Sequence, residues 1–267
     1  MLKRTTLHPY HLVDPSPWPF VVAFGAFFML LGLTLYMHSY YAGFMIFILG
    51  VISIVVNTSI WWNDIVREGT FEGAHTTTVQ YGLRFGMVLF IVSEVMLFFA
   101  FFWAFFHSSL NPVPEIGCVW PPKGIEVLNP WLIPALNTTL LLTSGAALTW
   151  SHAALIGGYR KEMIAGLLVT LVLATLFTAF QGYEYFNAPF DLSDGIYGST
   201  FYMLTGLHGF HVIVGTIFLT VALIRGVYHH YTRTNHIGYE CAAWYWHFVD
   251  VVWIFLFLVV YIWGKGI

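Results

Sequence analysis

The stretch "LFIVSEVMLFFAFFWAFFH" (89–107) decides the fold class. Apart from Ser93, Glu94 and the closing His107 it is apolar throughout. A helix needs about 20 mostly apolar residues to cross the roughly 30 Å hydrocarbon core of a bilayer. Six more runs of this kind lie on either side, so the sequence predicts spans at 17–37, 40–62, 79–107, 131–154, 163–183, 196–224 and 239–263. The composition agrees. The 267 residues are 58% hydrophobic, 19% aromatic and only 9% charged, where a soluble domain carries roughly 25% charge. That excludes a soluble enzyme, and it excludes disorder, which needs low hydrophobicity. A formal net charge of −3 argues against a basic nucleic-acid binder. The fold class is therefore all-α, a polytopic membrane bundle of seven transmembrane helices.

The breaks between spans are chemical. A weak polar-aromatic patch at His38–Tyr41 separates the first two, and "NDIVREGTFEGAHTT" (63–77) the next two. "NPVPEIGCVWPPKGIEVLNP" (111–130) holds five prolines, which no helix interior tolerates. The remaining breaks are the basic turn at 157–161, the acidic stretch from Glu184 to Asp194, and "RGVYHHYTRTNH" (225–236). Period-two alternation of the barrel type is missing. Prolines interrupt any secretory h-region near the N-terminus, and no Arg-rich transit peptide is visible, so a mitochondrial version is expected to be made inside the organelle.

Loop charges give the orientation. With the N-terminus inside, that side carries Lys3, Arg4, Arg67, Arg84, Arg160, Lys161, Arg225 and Arg233, against Lys123 and Lys265 outside. Such a bias puts the N-terminus in the matrix or cytoplasm and, after seven spans, the C-terminus on the opposite side. The expected organisation is one integral membrane subunit over 1–267. It comprises an inner-side segment (1–16), two helices (17–62) and a five-helix bundle (79–263).

Candidate chemistry is sparse. Two cysteines, Cys118 and Cys241, are too few for a disulfide framework or a thiolate metal site. His208 and His211 share a face of the sixth span at i, i+3, a spacing able to present two metal ligands. Depth argues against haem: His247 lies roughly 12 Å into its span from the inner side and His211 roughly 20 Å, so they are not level. Neither a redox centre nor a bound metal is expected in this chain, and no catalytic residue. Glu94 says more. An acid among hydrocarbon is costly and marks a functional site by default. Its depth, roughly 21 Å, matches His211, so the expected partner is His211, with His208 second and Ser93 as a local hydroxyl. At the inner face, Trp61, Trp62, Asp64, Arg67, Glu68 and His75 form one polar-aromatic cluster, and Arg225, His229, His230 and Arg233 another. Basic pockets there can hold anionic headgroups, although ordinary topology and the aromatic belt would place the same residue types.

Six segments resemble cytochrome c oxidase subunit III. They are "HPYHLVDPSPWP" (8–19), "SEVMLFFAFFWAFFHSSL" (93–110), "WPPKGIEVLNP" (120–130), "DGIYGSTFY" (194–202), "GLHGFHVIVG" (206–215) and "YWHFVDVVWIFLF" (245–257), and they occur in the family's order. The resemblance implies a non-catalytic core subunit of a proton-pumping respiratory oxidase. Haem a, haem a3 and copper are then held by partner subunits, and oxidase subunit I is the main contact. It also implies two bundles, the first two helices and the last five, around a V-shaped cleft holding phospholipid, with cardiolipin a candidate. Glu94 then resembles the family's membrane-buried glutamate. Trp62, Arg67, Glu68, His75, Trp103, His107 and Arg225 are similar to positions that contact phospholipid. The implied location is the mitochondrial inner membrane, with the bacterial cytoplasmic membrane as the alternative. A second functional class is a stand-alone proton or solute carrier using Glu94 and His208/His211. Carriers show repeats or matching broken helices in two halves, and seven spans do not divide that way.

Overall fold

The computed structural model describes residues 8–266, so Lys3, Arg4 and the first part of the inner-side segment lie outside the described residues. Among those residues there are seven long helices and no strand. They are α1 (Trp18–Met37), α2 (Gly43–Thr70), α3 (Thr77–Leu110), α4 (Ile133–Gly157), α5 (Arg160–Asn187), α6 (Gly195–Val227) and α7 (Ile237–Leu256). A π-helical turn (Phe257–Ile262) and a short 3-10 turn (Trp263–Lys265) prolong α7. All seven are long and apolar enough to cross a membrane.

Several helices overrun their predicted ends. α2 continues through Asn63–Thr70, which the sequence reading gave to a loop, and stops just before Gly73 at φ 68°. α5 continues to Asn187, so Glu184 sits in its last turn rather than in a connection. Hydropathy finds the segment that must lie in lipid. The helix itself goes on through polar residues until glycine or proline stops it.

The chain divides into two compact units, one ending at Leu83 and the other starting at Arg84. The division falls inside α3, not in the polar connection before it. In the first unit α1 and α2 form a hairpin whose seam is glycine. Gly25, Gly32, Gly43 and Gly50 are the buried residues of these two helices. A Cβ on Gly32 would lie 2.2 Å from the backbone nitrogen of Phe47, and one on Gly50 2.3 Å from that of Met29. The seven-residue steps from Gly25 to Gly32 and from Gly43 to Gly50 keep one face of each helix bare, so the backbones touch. In lipid, where apolar side chains gain little by meeting one another, such contact is a main source of association. Trp18 Nε1 donates to Asp64 Oδ2 at 2.6 Å and ties the start of α1 to α2.

In the second unit α7 is the central helix, with Tyr239, Trp246, Trp253 and Leu256 buried. The three aromatic residues fall seven apart, on one face. Each donates to a hydroxyl of the antiparallel α4: Tyr239 to Ser151 (2.7 Å), Trp246 to Ser144 (2.9 Å) and Trp253 to Thr138 (3.0 Å). The acceptors ascend as the donors descend, as antiparallel helices require. Ser144 and Ser151 pass their own protons to the carbonyls of Leu141 and Met163, so each hydroxyl both accepts and donates. Close approach recurs at Gly215, whose Cβ would meet the Trp246 ring at 2.9 Å. α3 buries only Phe98, Phe105 and Ser109. Phe85, Phe99 and Trp103 are among its many exposed apolar side chains, as lipid or a neighbouring subunit would require.

Candidate functional site

Glu94 lies midway along α3 and His211 midway along α6. Their side chains meet with Glu94 Oε2 at 2.8 Å from His211 Nε2. The Phe98 ring is tilted against the imidazole at 5.0 Å between centroids, and Tyr245 stacks at 6.2 Å, so the pair sits among aromatic rings. The proton arrangement follows from the other nitrogen. His211 Nδ1 is 2.7 Å from the carbonyl oxygen of Leu207, which can only accept, so Nδ1 carries hydrogen. The contact to Glu94 therefore shares one proton, as neutral acid with imidazole or as carboxylate with imidazolium. Either way the pair is neutral, which is how an acid at this depth escapes the cost of a buried single charge.

His208 does not reach Glu94. It is 1% exposed and its Nε2 lies 3.2 Å from the carbonyl oxygen of Val249 on α7. A step of three residues offsets the two side chains by about 60° around the helix, enough to send one imidazole toward α7 and the other toward α3. Ser93 is also spent elsewhere, donating to the Phe90 carbonyl at 2.6 Å. The second-choice partner and the local hydroxyl thus both have other roles.

The expected lipid positions fall into separate groups. In the first unit Trp62 is 62% exposed, and Arg67 lies on the following turn of α2 with its side chain 68% exposed. Arg67 pairs at 3.1 Å with Glu72, which the sequence reading had not singled out. Glu68 faces His11 at 4.0 Å, and the rings of His11 and His75 meet edge-on at 5.8 Å. Thr76 donates to the Pro9 carbonyl. His11 is the missed member here, brought in by the chain ahead of α1. In the second unit Trp103 and His107 are exposed, one turn apart near the end of α3. Arg225 is engaged within the protein: its guanidinium carbon lies 4.7 Å from the centroid of the Tyr231 ring. Burial pushes the Tyr231 phenol up to about 12, and it lowers the neighbouring His230 imidazole, with Arg225 and His229 adding repulsion.

Two polar groups were not anticipated. Arg84, His152, His236 and Glu240 converge from α3, α4 and the start of α7, at the end of the second unit where α6 finishes. Near the opposite ends of α4 and α5, Asn137, Gln181, Glu184 and Tyr261 form a buried network. Tyr261 donates to Glu184 at 2.6 Å and Asn137 to Gln181 at 3.2 Å. The π turn brings Tyr261 into this network. The available sequence signal was weak: a Gln and a Glu one turn apart on α5, next to a span end.

Comparison with known proteins gives the family. The family model described as cytochrome c oxidase subunit III matches residues 8–265. The protein named cytochrome c oxidase subunit 3 of Prototheca wickerhamii is 60% identical over 97% of this chain and 99% of its own length. That of Arabidopsis thaliana is 59% identical over 96% and 97%, and that of Cyanidium caldarium 58% over 99% and 98%. With seven apolar helices and an end-to-end match, the chain belongs to the cytochrome c oxidase subunit III family.

Proposed function

We propose that the chain serves as a non-catalytic core subunit of cytochrome c oxidase, respiratory complex IV. In this role it holds phospholipid and braces the catalytic subunit while the complex moves electrons from cytochrome c to oxygen and pumps protons. The observation that carries the reading is the match to relatives over nearly their whole length. It leaves no room for the stand-alone carrier. The chain takes part in oxidoreductase and translocase activity only as a piece of the complex. Haem a, haem a3 and copper belong to partner subunits, and subunit I is the principal neighbour. The two deep histidines suit this division of labour, since both ring nitrogens of His211 and one of His208 are already hydrogen-bonded. The Lys/Arg bias supports an inner-membrane orientation with the N-terminus in the matrix.

Phospholipid retention follows from Trp62 and Arg67. The exposed Arg67–Glu72 pair is worth little in itself, so the guanidinium can turn to a phosphate, with which it makes stronger charge-assisted bonds. Trp62 supplies an aromatic surface at headgroup depth. Trp103 and His107 do the same at the other end of α3. The test is affinity purification of the tagged chain from native membranes in mild detergent. Haem-bearing subunits should accompany it in constant proportion. Recovery of the chain alone from membranes with active oxidase would overturn the assignment.

A further inference from the structure

His236 stands at the N-cap of α7, and Glu240 lies one turn further on. His236 Nδ1 is 2.9 Å from the carbonyl oxygen of Thr232. A carbonyl can only accept, so Nδ1 bears the hydrogen and Nε2 of the neutral ring presents a lone pair. That lone pair faces Oε1 of Glu240 at 3.3 Å, another acceptor. From α4, His152 adds a third: its Nε2 is buried and has no hydrogen-bond partner, while its ring stacks on Tyr239 at 5.4 Å. One ligand atom from each residue lies within 4.8 Å of the others. Electron-pair donors converging in this way repel one another unless a proton or a metal cation stands between them, and a single proton can bridge only two of the three.

We propose that His152, His236 and Glu240 form a binding site for a divalent transition-metal ion of the zinc type, with a fourth position open to water. Two imidazoles and one carboxylate make a donor set that suits zinc, and three protein ligands recur in zinc sites that keep the fourth position for water. At metal–ligand distances of 2.0–2.1 Å, tetrahedral donors sit about 3.3 Å apart. The His236–Glu240 pair already has that spacing. The His152 ligand atom lies within 4.8 Å of the other two, and a bound ion would draw it closer.

The supporting residues fit the same purpose. The Thr232 carbonyl fixes the tautomer of His236, the usual outer-shell device for a metal-binding imidazole. Arg84 grips Glu240 through Nε at 2.7 Å and a terminal nitrogen at 3.1 Å, which orients the carboxylate. A carboxylate has about four lone-pair sites, so acceptor capacity remains beside the two bonds from Arg84. The guanidinium charge works against a second cation, which favours a site that fills and empties over one that holds a permanent structural ion. The expectation of no metal came from the unequal depths of the histidines and from too few cysteines, whereas these ligands come from two helices far apart in sequence.

The test uses the assembled oxidase containing this chain, with zinc ion as the probe. Crystals or solution samples equilibrated with zinc should give an anomalous peak at the zinc edge within bonding distance of His152 and His236. The absorption spectrum should show nitrogen and oxygen neighbours without sulfur. Measured by equilibrium dialysis, His152→Gln should weaken binding at this site by about tenfold or more, and the complex should lose up to one zinc equivalent per chain. The wild-type anomalous measurement decides the matter even if the variant fails to assemble. No peak at these residues, or zinc uptake unchanged by His152→Gln, would overturn the proposal.

Discussion

At the residue scale the Glu94–His211 contact has the clearest energetic consequence. Replacing Glu94 by Gln keeps an N–H that can donate to His211 Nε2, so the variant should assemble and transfer electrons normally. Glu94→Leu removes the donor and leaves a buried imidazole nitrogen unpartnered, at a cost of about 1–3 kcal/mol. Thermal unfolding of the purified complex should rank Glu94→Gln near wild type and Glu94→Leu well below it. In the double variant with His211→Phe the Leu penalty should largely vanish. Loss of electron transfer in assembled Glu94→Gln would show that the residue is not a packing and proton-holding group. Tyr231 carries a pH prediction. Its phenol is pushed up to about 12 by burial, above the ordinary value near 10. Stability from this group is complete below about pH 10 and falls as the unfolded phenol ionises between 10 and 12. Tyr231→Phe should therefore flatten the fall of the melting midpoint in that window. An equally steep fall would mean other groups control alkaline unfolding.

At the scale of elements the two helix pairs rest on different contacts. The α1–α2 hairpin depends on backbone approach, so added volume should be graded by the space available. Gly32→Ala meets backbone at 2.2 Å, whereas Gly25→Ala meets the Ile54 side chain and Ser53 Oγ at 3.1 Å. Overpacking typically costs about 1–3 kcal/mol, so Gly32→Ala should reduce assembled complex in membranes much more than Gly25→Ala. Equal yields would mean the hairpin has slack. The α4–α7 ladder depends on single hydrogen bonds, which in membranes average about 0.6 kcal/mol. Tyr239→Phe should lower the thermal midpoint only slightly, and a large drop would show that Ser151 relies on it for more than one bond. The span count was legible because lipid imposes a length and a composition that appear in one dimension. Helix ends were less so: at Asn63–Thr70 and at Glu184 the polar residues that end the apolar run do not end the helix.

For the whole molecule the predictions concern what the chain keeps when purified. Separated from its partners it should show no Soret band and no stoichiometric copper or iron, and haem near one per chain would overturn the proposed division of labour. Within the complex, Arg67→Ala should lower co-purifying phospholipid measured by phosphorus content. If neither that change nor His75→Ala alters it, the cluster is ordinary membrane topology.

By itself the sequence determined the class, the seven crossings and the level at which Glu94 finds an imidazole. Each of these follows from an axial coordinate, and a helix of fixed rise converts residue number into depth. Which face of a helix meets which neighbour was decided only by the tertiary structure. His208 and His211 lie within one turn on the same side of α6, yet they bond to different helices because even the roughly 60° offset of a three-residue step points them at different neighbours. The bare glycine seam of α1 and α2 and the Tyr239–Trp246–Trp253 ladder are seven-residue patterns whose meaning depends on the helix opposite. The meeting of His152 with His236 and Glu240 depends on α4 ending where α7 begins. Hydropathy measures the exchange of side chains between water and lipid, and that exchange does not depend on azimuth. Azimuth was settled by close packing and by polar groups that had to find partners away from water.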